Sequence, residues 1–292
     1  MTVKFQGSMV AIVTPMVESG IDYESFRNLI EFHIQNGTDA IVAAGTTGES
    51  ATMNYHDHCE VIRIAVKQAR NRVPIIAGTG SNSSAEATAL TLYAEKAGAD
   101  ACLLVTPYYN KPTQEGLYQH FEMISYTTQI PLILYNVPGR TACDMLPKTV
   151  KRLSEIDGII GIKETVSLER MQEIRDLCGD EFVIYSGEDA LAAEAILQGA
   201  KGVISVTANV APALMHQLCE AALAGNRDRA EEIDQALQPL HKALFVESNP
   251  IPVKWALTQM GLISDKIRLP LTTLSEMYHQ AVSDAMKHAG IE

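Results

Sequence analysis

Short apolar runs recur along the chain and alternate with longer segments of helical period. Eight of these runs read as strands: residues 8–13, 39–44, 74–77, 101–105, 131–135, 159–163, 182–186 and 202–206. Most are nearly continuous in apolar residues, the pattern of parallel strands covered on both faces. The intervening segments carry apolar residues three and four apart. Tyr23, Phe26, Leu29, Ile30, His33 and Ile34 share one helical face, and Val61, Ile62, Ala65, Val66 and Ala69 share another. Gly37 and Gly98 stand where a helix would end just before a strand.

Eight strands alternating with helices predict an α/β architecture, a closed parallel (β/α)8 TIM barrel. A doubly wound open sheet is the rival, and the count of eight favours closure. Beyond the last strand the helical pattern continues further than one closing helix requires. Residues 226–244 and 272–288 therefore read as a C-terminal helical appendage. The expected division is a barrel over residues 1–225 and a helical region over 226–292.

Composition narrows the class. Of the 292 residues, 47% are hydrophobic, enough for a large core without covalent staples. The five cysteines, Cys59, Cys102, Cys143, Cys178 and Cys219, are scattered and form no C-x-x-C pair. A disulfide framework or thiolate zinc site is not expected, and a cytoplasmic location fits. The formal charge of −12 argues against a nucleic-acid partner. The N-terminus lacks the pattern of a signal peptide, and no apolar stretch approaches the ~18 residues of a membrane span.

In a barrel of this kind, chemistry sits at the C-terminal ends of the strands. These ends carry one lysine, several hydroxyls and glycines, and neither His, Cys nor a carboxylate cluster with metal-ligand spacing. Lys163 closes the sixth run. Alone it reads as a solvated strand end. At a barrel mouth, partial loss of water favours a neutral amine, which can attack a ketone to form an imine. The iminium makes the adjacent methyl group acidic, and a proton carrier is then needed. Tyr135 ends the neighbouring strand, and the hydroxyls of Thr46 and Tyr109 can extend a relay, although each also suits capping or packing.

Val137-Pro138-Gly139-Arg140 predicts a type II turn that folds back past Tyr135. Arg140 is then either a solvated turn residue or a fork for a substrate carboxylate. His56-Asp57-His58 does not suit a metal, because helix positions two apart point to different faces. Gly78-x-Gly80 lacks the remaining elements of a phosphate loop. Neither a metal nor a cofactor is expected.

Several runs resemble a known family. Gly45-Thr46-Thr47-Gly48-Glu49, Tyr135-Asn136-Val137-Pro138-Gly139-Arg140-Thr141 and Gly161-Ile162-Lys163-Glu164 are similar to signatures of the dihydrodipicolinate synthases, within the N-acetylneuraminate lyase superfamily. Gly202-Val203-Ile204-Ser205-Val206 and Asn249-Pro250-Ile251-Pro252-Val253-Lys254 extend the likeness across nearly the whole chain. The lysine and tyrosine signatures are shared with related aldolases, whereas Arg140 is typical of the synthases.

The resemblance implies aldol condensation of pyruvate with L-aspartate 4-semialdehyde, in lysine and diaminopimelate synthesis. Lys163 forms the imine, and Tyr135, Thr46 and Tyr109 form the relay, Tyr109 in a neighbouring subunit's site. Thr46 and Thr47 hold the pyruvate carboxylate, Gly187 and Ile204 line the pocket, and Arg140 receives the semialdehyde carboxylate. A homotetramer built as a dimer of dimers is implied. So is feedback inhibition by L-lysine at Ser50, Ala51, Tyr55, His58, Asn82, Glu86 and Tyr108. Tyr55 stands where some lysine-sensitive relatives carry a histidine. Ser83-x-x-Glu86 also matches a helix capping box. The rival readings are a sister aldolase acting on sialic or keto-deoxy sugar acids, a metal-dependent hydrolase, and a barrel that only binds.

Overall fold

The structure, a computed structural model, describes residues 5–291. Strands β1 (Gly7–Ala11), β2 (Ala40–Ala43), β3 (Ile75–Gly78), β4 (Ala101–Val105), β5 (Leu132–Asn136), β6 (Ile159–Glu164), β7 (Val183–Ser186) and β8 (Gly202–Ser205) close a barrel. Each pairs in parallel with its neighbours in sequence, and β8 returns to β1. The TIM barrel is thus the observed fold. The predicted strands agree to within two residues. β1 stops at Ala11 because the Val13 N–H donates to the Asn209 side chain at 3.0 Å, outside any strand ladder.

Side chains alternate between two apolar layers. Met9 and Ala11 of β1, and Ala40 and Val42 of β2, fill the barrel interior. Val10, Ile41 and Ala43 face the surrounding helices. Each fully buried branched or aromatic side chain contributes roughly 1.5–3 kcal/mol, so both faces must be apolar. That is why the runs read as continuous.

Strand β6 breaks this alternation. Ile159 and Ile162 both face the helical layer although three positions separate them. The register against β5 slips between Leu132 and Ile133, so that Ile133 pairs with Gly161 and Tyr135 with Lys163. The extra residue reverses the strand's parity. Lys163 consequently joins Tyr135 on the inner side. Gly161 sits where a Cβ would collide with the Val183 carbonyl, so the tight pairing of β6 with β7 requires glycine.

The helices Tyr23–Gln35, Tyr55–Ala69, Ser84–Ala97, Gln114–Thr127, Pro147–Leu153, Leu168–Cys178, Ala192–Leu197 and Pro212–Leu223 surround the barrel. Several begin at side-chain caps, as Asp22, Ser83, Thr113 and Ser167 accept first-turn N–H groups. Phe26, Leu29, Ile30 and His33 are buried on the first helix, with Tyr23 and Ile34 at its margins. Gly37 and Gly98 both take positive φ at helix ends, as expected.

The C-terminal region forms the helices Arg227–Ala243, Ile251–Gln259 and His279–His288. The helix expected over 272–288 begins only at His279, after a short turn at Glu276–Tyr278. Ser275 is tied instead to the Glu247 carboxylate through both its N–H and its hydroxyl. The helix Ile251–Gln259 was not anticipated, yet Pro252 lies in its first turn, where a missing N–H costs nothing.

Candidate active site

A cavity opens at the C-terminal end of the barrel. Lys163, Tyr135, Thr46, Thr47, Arg140 and Gly187 all line it, arriving from four different strand ends. Lys163 is only 6% exposed, and its Nζ lies 4.4 Å from the centre of the Tyr135 ring. The inward parity of both residues places amine and phenol in the same cavity. A Cβ at Gly187 would stand 2.8 Å from the Lys163 Cε, so glycine leaves the lysine its path into the cavity.

The ends of β5 and β6 are locked together beneath this pair. The buried Glu164 carboxylate accepts from Asn136 Nδ2 at 3.1 Å and from the Thr165 and Val166 N–H groups at 2.8 and 3.0 Å. Burial pushes the Glu164 carboxyl up, and these bonds pull it partly back. Asn136 also reaches Asp144, which pairs with Arg170 at 3.1 Å.

The loop after β2 is held from the far end of the chain. Thr47 Oγ1 accepts from Asn249 Nδ2 at 3.0 Å, and the Gly48 carbonyl accepts from Thr14 Oγ1 at 2.8 Å. Glu49 is buried and pairs with Lys254 at 2.5 Å. Strain gathers at the same rim. Ala44, Glu49, Tyr109, Lys111 and Ala142 all take positive φ there, a cost of roughly 1–3 kcal/mol each that surrounding contacts must sustain.

The segment after β5 departs from expectation. Pro138–Thr141 is one turn of α-helix, with the Thr141 N–H donating to the Val137 carbonyl at 3.1 Å. A type II turn would need positive φ at Gly139, and it has none. Arg140 still reaches the mouth, exposed, with its guanidinium 3.5 Å from the Asn249 carbonyl.

Tyr109 does not line the cavity of its own chain. It is 88% exposed and stands away from the barrel at a φ of 75°. Ile204 lies in the inner core layer, and Val206 reaches the cavity instead.

A second cavity adjoins the first and shares Thr46, Ser50, Val137 and Arg140 with it. Ser50, Ala51, Tyr55, His58, Glu86 and Tyr108 line it. Asn82 does not line it, but its amide donates to the Tyr108 carbonyl at 3.2 Å. His58 Nε2 lies 2.6 Å from the Gly78 carbonyl. A carbonyl only accepts, so Nε2 carries the proton, and burial lowers the imidazole pKa toward the neutral form. Nδ1 is then free to accept. Glu86 accepts from Ser81 Oγ at 2.5 Å, so only half of the capping box forms, through the Ser83 hydroxyl.

The Dihydrodipicolinate synthetase family profile matches residues 4–289. The chain belongs to this family. It is 60% identical to the 4-hydroxy-tetrahydrodipicolinate synthase of Methylococcus capsulatus, over 98% of this chain and 99% of that one. Its fold superposes on the pyruvate complex of the chloride-inhibited dihydrodipicolinate synthase of Acinetobacter baumannii with a TM-score of 0.97. That pair is 51% identical over 99% and 100% of the two chains. The lysine-bound enzyme of Cyanidioschyzon merolae gives a TM-score of 0.95 at 37% identity, covering 99% of each chain.

Within this family frame, several residues at the site had no assigned role in the sequence reading. Thr165, Glu188, Phe245 and Asn249 all line the first cavity. Glu188 could have been found as a strand-end carboxylate. Phe245 could not, since it comes from the C-terminal region and belongs to no motif, whereas Asn249 opens the family-like run of residues 249–254. His56 and His58 are separated as expected, His56 on the surface and His58 buried. Gly78 and Gly80 are packed against the backbone of Ala44 and Val105, a structural reason for both glycines. Among the described residues, no helix is long and apolar enough to cross a membrane.

Proposed function

We propose that this chain condenses pyruvate with L-aspartate 4-semialdehyde to 4-hydroxy-tetrahydrodipicolinate, with Lys163 as the covalent catalyst. The observation that carries the reading is the buried Lys163 amine packed beside Tyr135 in the cavity at the barrel mouth. The amine attacks the pyruvate ketone, water leaves, and the iminium draws electrons from the neighbouring methyl. Tyr135 carries protons to and from the reacting carbons, linked outward through Thr46. Thr46 and Thr47 hold the pyruvate carboxylate. The resulting enamine attacks the aldehyde, whose own carboxylate is received by Arg140. The amine of the condensed product then displaces Lys163 as the ring closes. No external electron sink is needed, because the iminium supplies it.

Tyr109 completes the relay in a neighbouring copy of the chain. Its near-complete exposure beside the mouth supports this role. A dimer of dimers, with this contact in the tight pair, follows from the same reading, as does a cytoplasmic enzyme. We read residues 226–292 as a helical region added to a barrel of residues 1–225, contributing Phe245 and Asn249 to the site.

L-lysine is the proposed inhibitor, bound in the second cavity. Its α-ammonium pairs with Glu86, its carboxylate meets Tyr108, whose carbonyl the Asn82 amide holds, and its side-chain ammonium donates to His58 Nδ1. The lysine-bound relative from Cyanidioschyzon merolae supports this assignment. Thr46 and Arg140 belong to both cavities, a direct physical route for coupling.

Borohydride reduction in the presence of pyruvate tests the reading. A reduced three-carbon adduct on Lys163, absent from Lys163→Ala, is expected by mass spectrometry. An adduct on another lysine, or none, refutes the covalent role.

A further inference from the structure

Glu188 follows Gly187 beyond the end of β7, and the chemistry above gives it no task. It is the single acidic side chain that lines the first cavity among the described residues. Its backbone is fixed: the N–H donates to Ser186 Oγ at 3.2 Å, and the carbonyl accepts from the same hydroxyl at 2.9 Å. Its carboxylate makes no hydrogen bond or ion pair among the described residues. Burial and then the Asp189 charge push the carboxyl up, while Lys163 and Arg140 pull it back. Asp189 itself is occupied, accepting from the Val206 and Thr207 N–H groups at 2.9 Å each. A half-buried carboxylate with no fixed partner thus faces the two cations of the site.

The amino aldehyde carries three polar groups. The aldehyde carbon meets the enamine, and Arg140 suits the carboxylate. The α-ammonium remains, and a donor-only cation needs an acceptor, best a charged one. We propose that Glu188 receives the α-ammonium of the amino-aldehyde substrate, so that Arg140 and Glu188 together recognise its zwitterionic end. The inference rests on the functional reading above. It makes Glu188 a specificity residue, selecting amino aldehydes over aldehydes that bear only a carboxylate. Opposite charges at the mouth also leave the pair neutral overall, matching a zwitterion better than an anion.

Glu188→Gln keeps the shape and removes the charge. The KM for aspartate semialdehyde should rise about ten- to a hundredfold, the loss expected for one charge-assisted contact, with a far smaller change for pyruvate. Succinate semialdehyde, the same chain without the amine, serves as a competitive probe. Its inhibition constant should hold steady or fall, because a carboxylate no longer repels it. Glu188→Asp should recover part of the loss. Equal weakening of both aldehydes would assign Glu188 to placing Arg140 and overturn the proposal, as would an unchanged KM for the amino aldehyde. Failure of the unmodified enzyme to condense aspartate semialdehyde at all would instead remove the reading beneath it.

Discussion

Lys254→Met isolates one buried charge and should show how the C-terminal region holds the loop that carries Thr46 and Thr47. The Lys254 and Glu49 side chains are 4% and 1% exposed, and Nζ lies 2.5 Å from Oε1. Nζ also donates to the Thr14 carbonyl at 3.1 Å, and the second carboxylate oxygen accepts from the Arg268 N–H at 2.9 Å. Burial lowers the Lys254 pKa and Glu49 counters it, the balance expected of a desolvated pair. Methionine keeps most of the volume but leaves Glu49 charged, with the Arg268 amide as its remaining partner. Uncompensated burial of that kind costs about 3–5 kcal/mol. The melting temperature should fall by roughly 6–15 °C. Adding Glu49→Gln removes the stranded charge while keeping an acceptor for Arg268. The double variant should therefore be more stable than Lys254→Met alone, by at least about 1 kcal/mol. Because Glu49 follows Thr46-Thr47-Gly48, the pyruvate KM should rise in the single variant and partly recover in the double. Denaturant unfolding of the four proteins, with steady-state kinetics on each, decides the matter. Strictly additive losses, or a cost below about 1 kcal/mol for Lys254→Met, would refute the argument that the pair is dry and coupled.

The remaining expectations concern the site and the acid limb of stability. Tyr135→Phe removes the relay hydroxyl and little volume, so kcat should fall about a hundredfold or more while the Lys163 adduct still forms; an unchanged kcat would exclude the hydroxyl from the mechanism. Arg140→Ala should raise the semialdehyde KM about ten- to a hundredfold and the pyruvate KM much less, whereas equal losses would point to loop placement. Millimolar L-lysine should inhibit partially and without competing with the semialdehyde, and Glu86→Ala should weaken that inhibition; calorimetry showing no binding heat at saturating lysine would make these residues structural. His33 and His120 are buried, and desolvation holds their pKa values at about 3 and about 4. The native state refuses protons that the unfolded chain accepts, so this stability is complete above pH ~6.5 and is lost as pH falls toward those values. Each histidine should cost about 2 kcal/mol at pH 5, and His33→Gln should flatten the slope of unfolding free energy against pH by about one proton. An unaltered slope would show that His33 titrates normally.

Much of the protein was written in its local pattern. Buried parallel strands demand apolar residues on both faces, so eight such runs between amphipathic helices determined the barrel and, with it, the end at which chemistry occurs. Lys163, Tyr135, Thr46 and Thr47 were legible because they close those runs. The tertiary structure decided what periodicity cannot carry. Ile159, Ile160 and Ile162 are all apolar, so no reading of polarity reveals the slip in β6 that turns Lys163 inward; only pairing with β5 sets that parity. The turn before Arg140 became helical because the Val137 carbonyl found N–H donors at Arg140 and Thr141, a local competition that the Pro-Gly pair alone does not settle. Asn249 meets Thr47 across 202 residues, and Lys254 meets Glu49 across 205. Such contacts depend on how the last helices cross the barrel mouth. A pattern read over ten or fifteen residues reports which face is buried, and the partner that buries it is chosen by the closed fold.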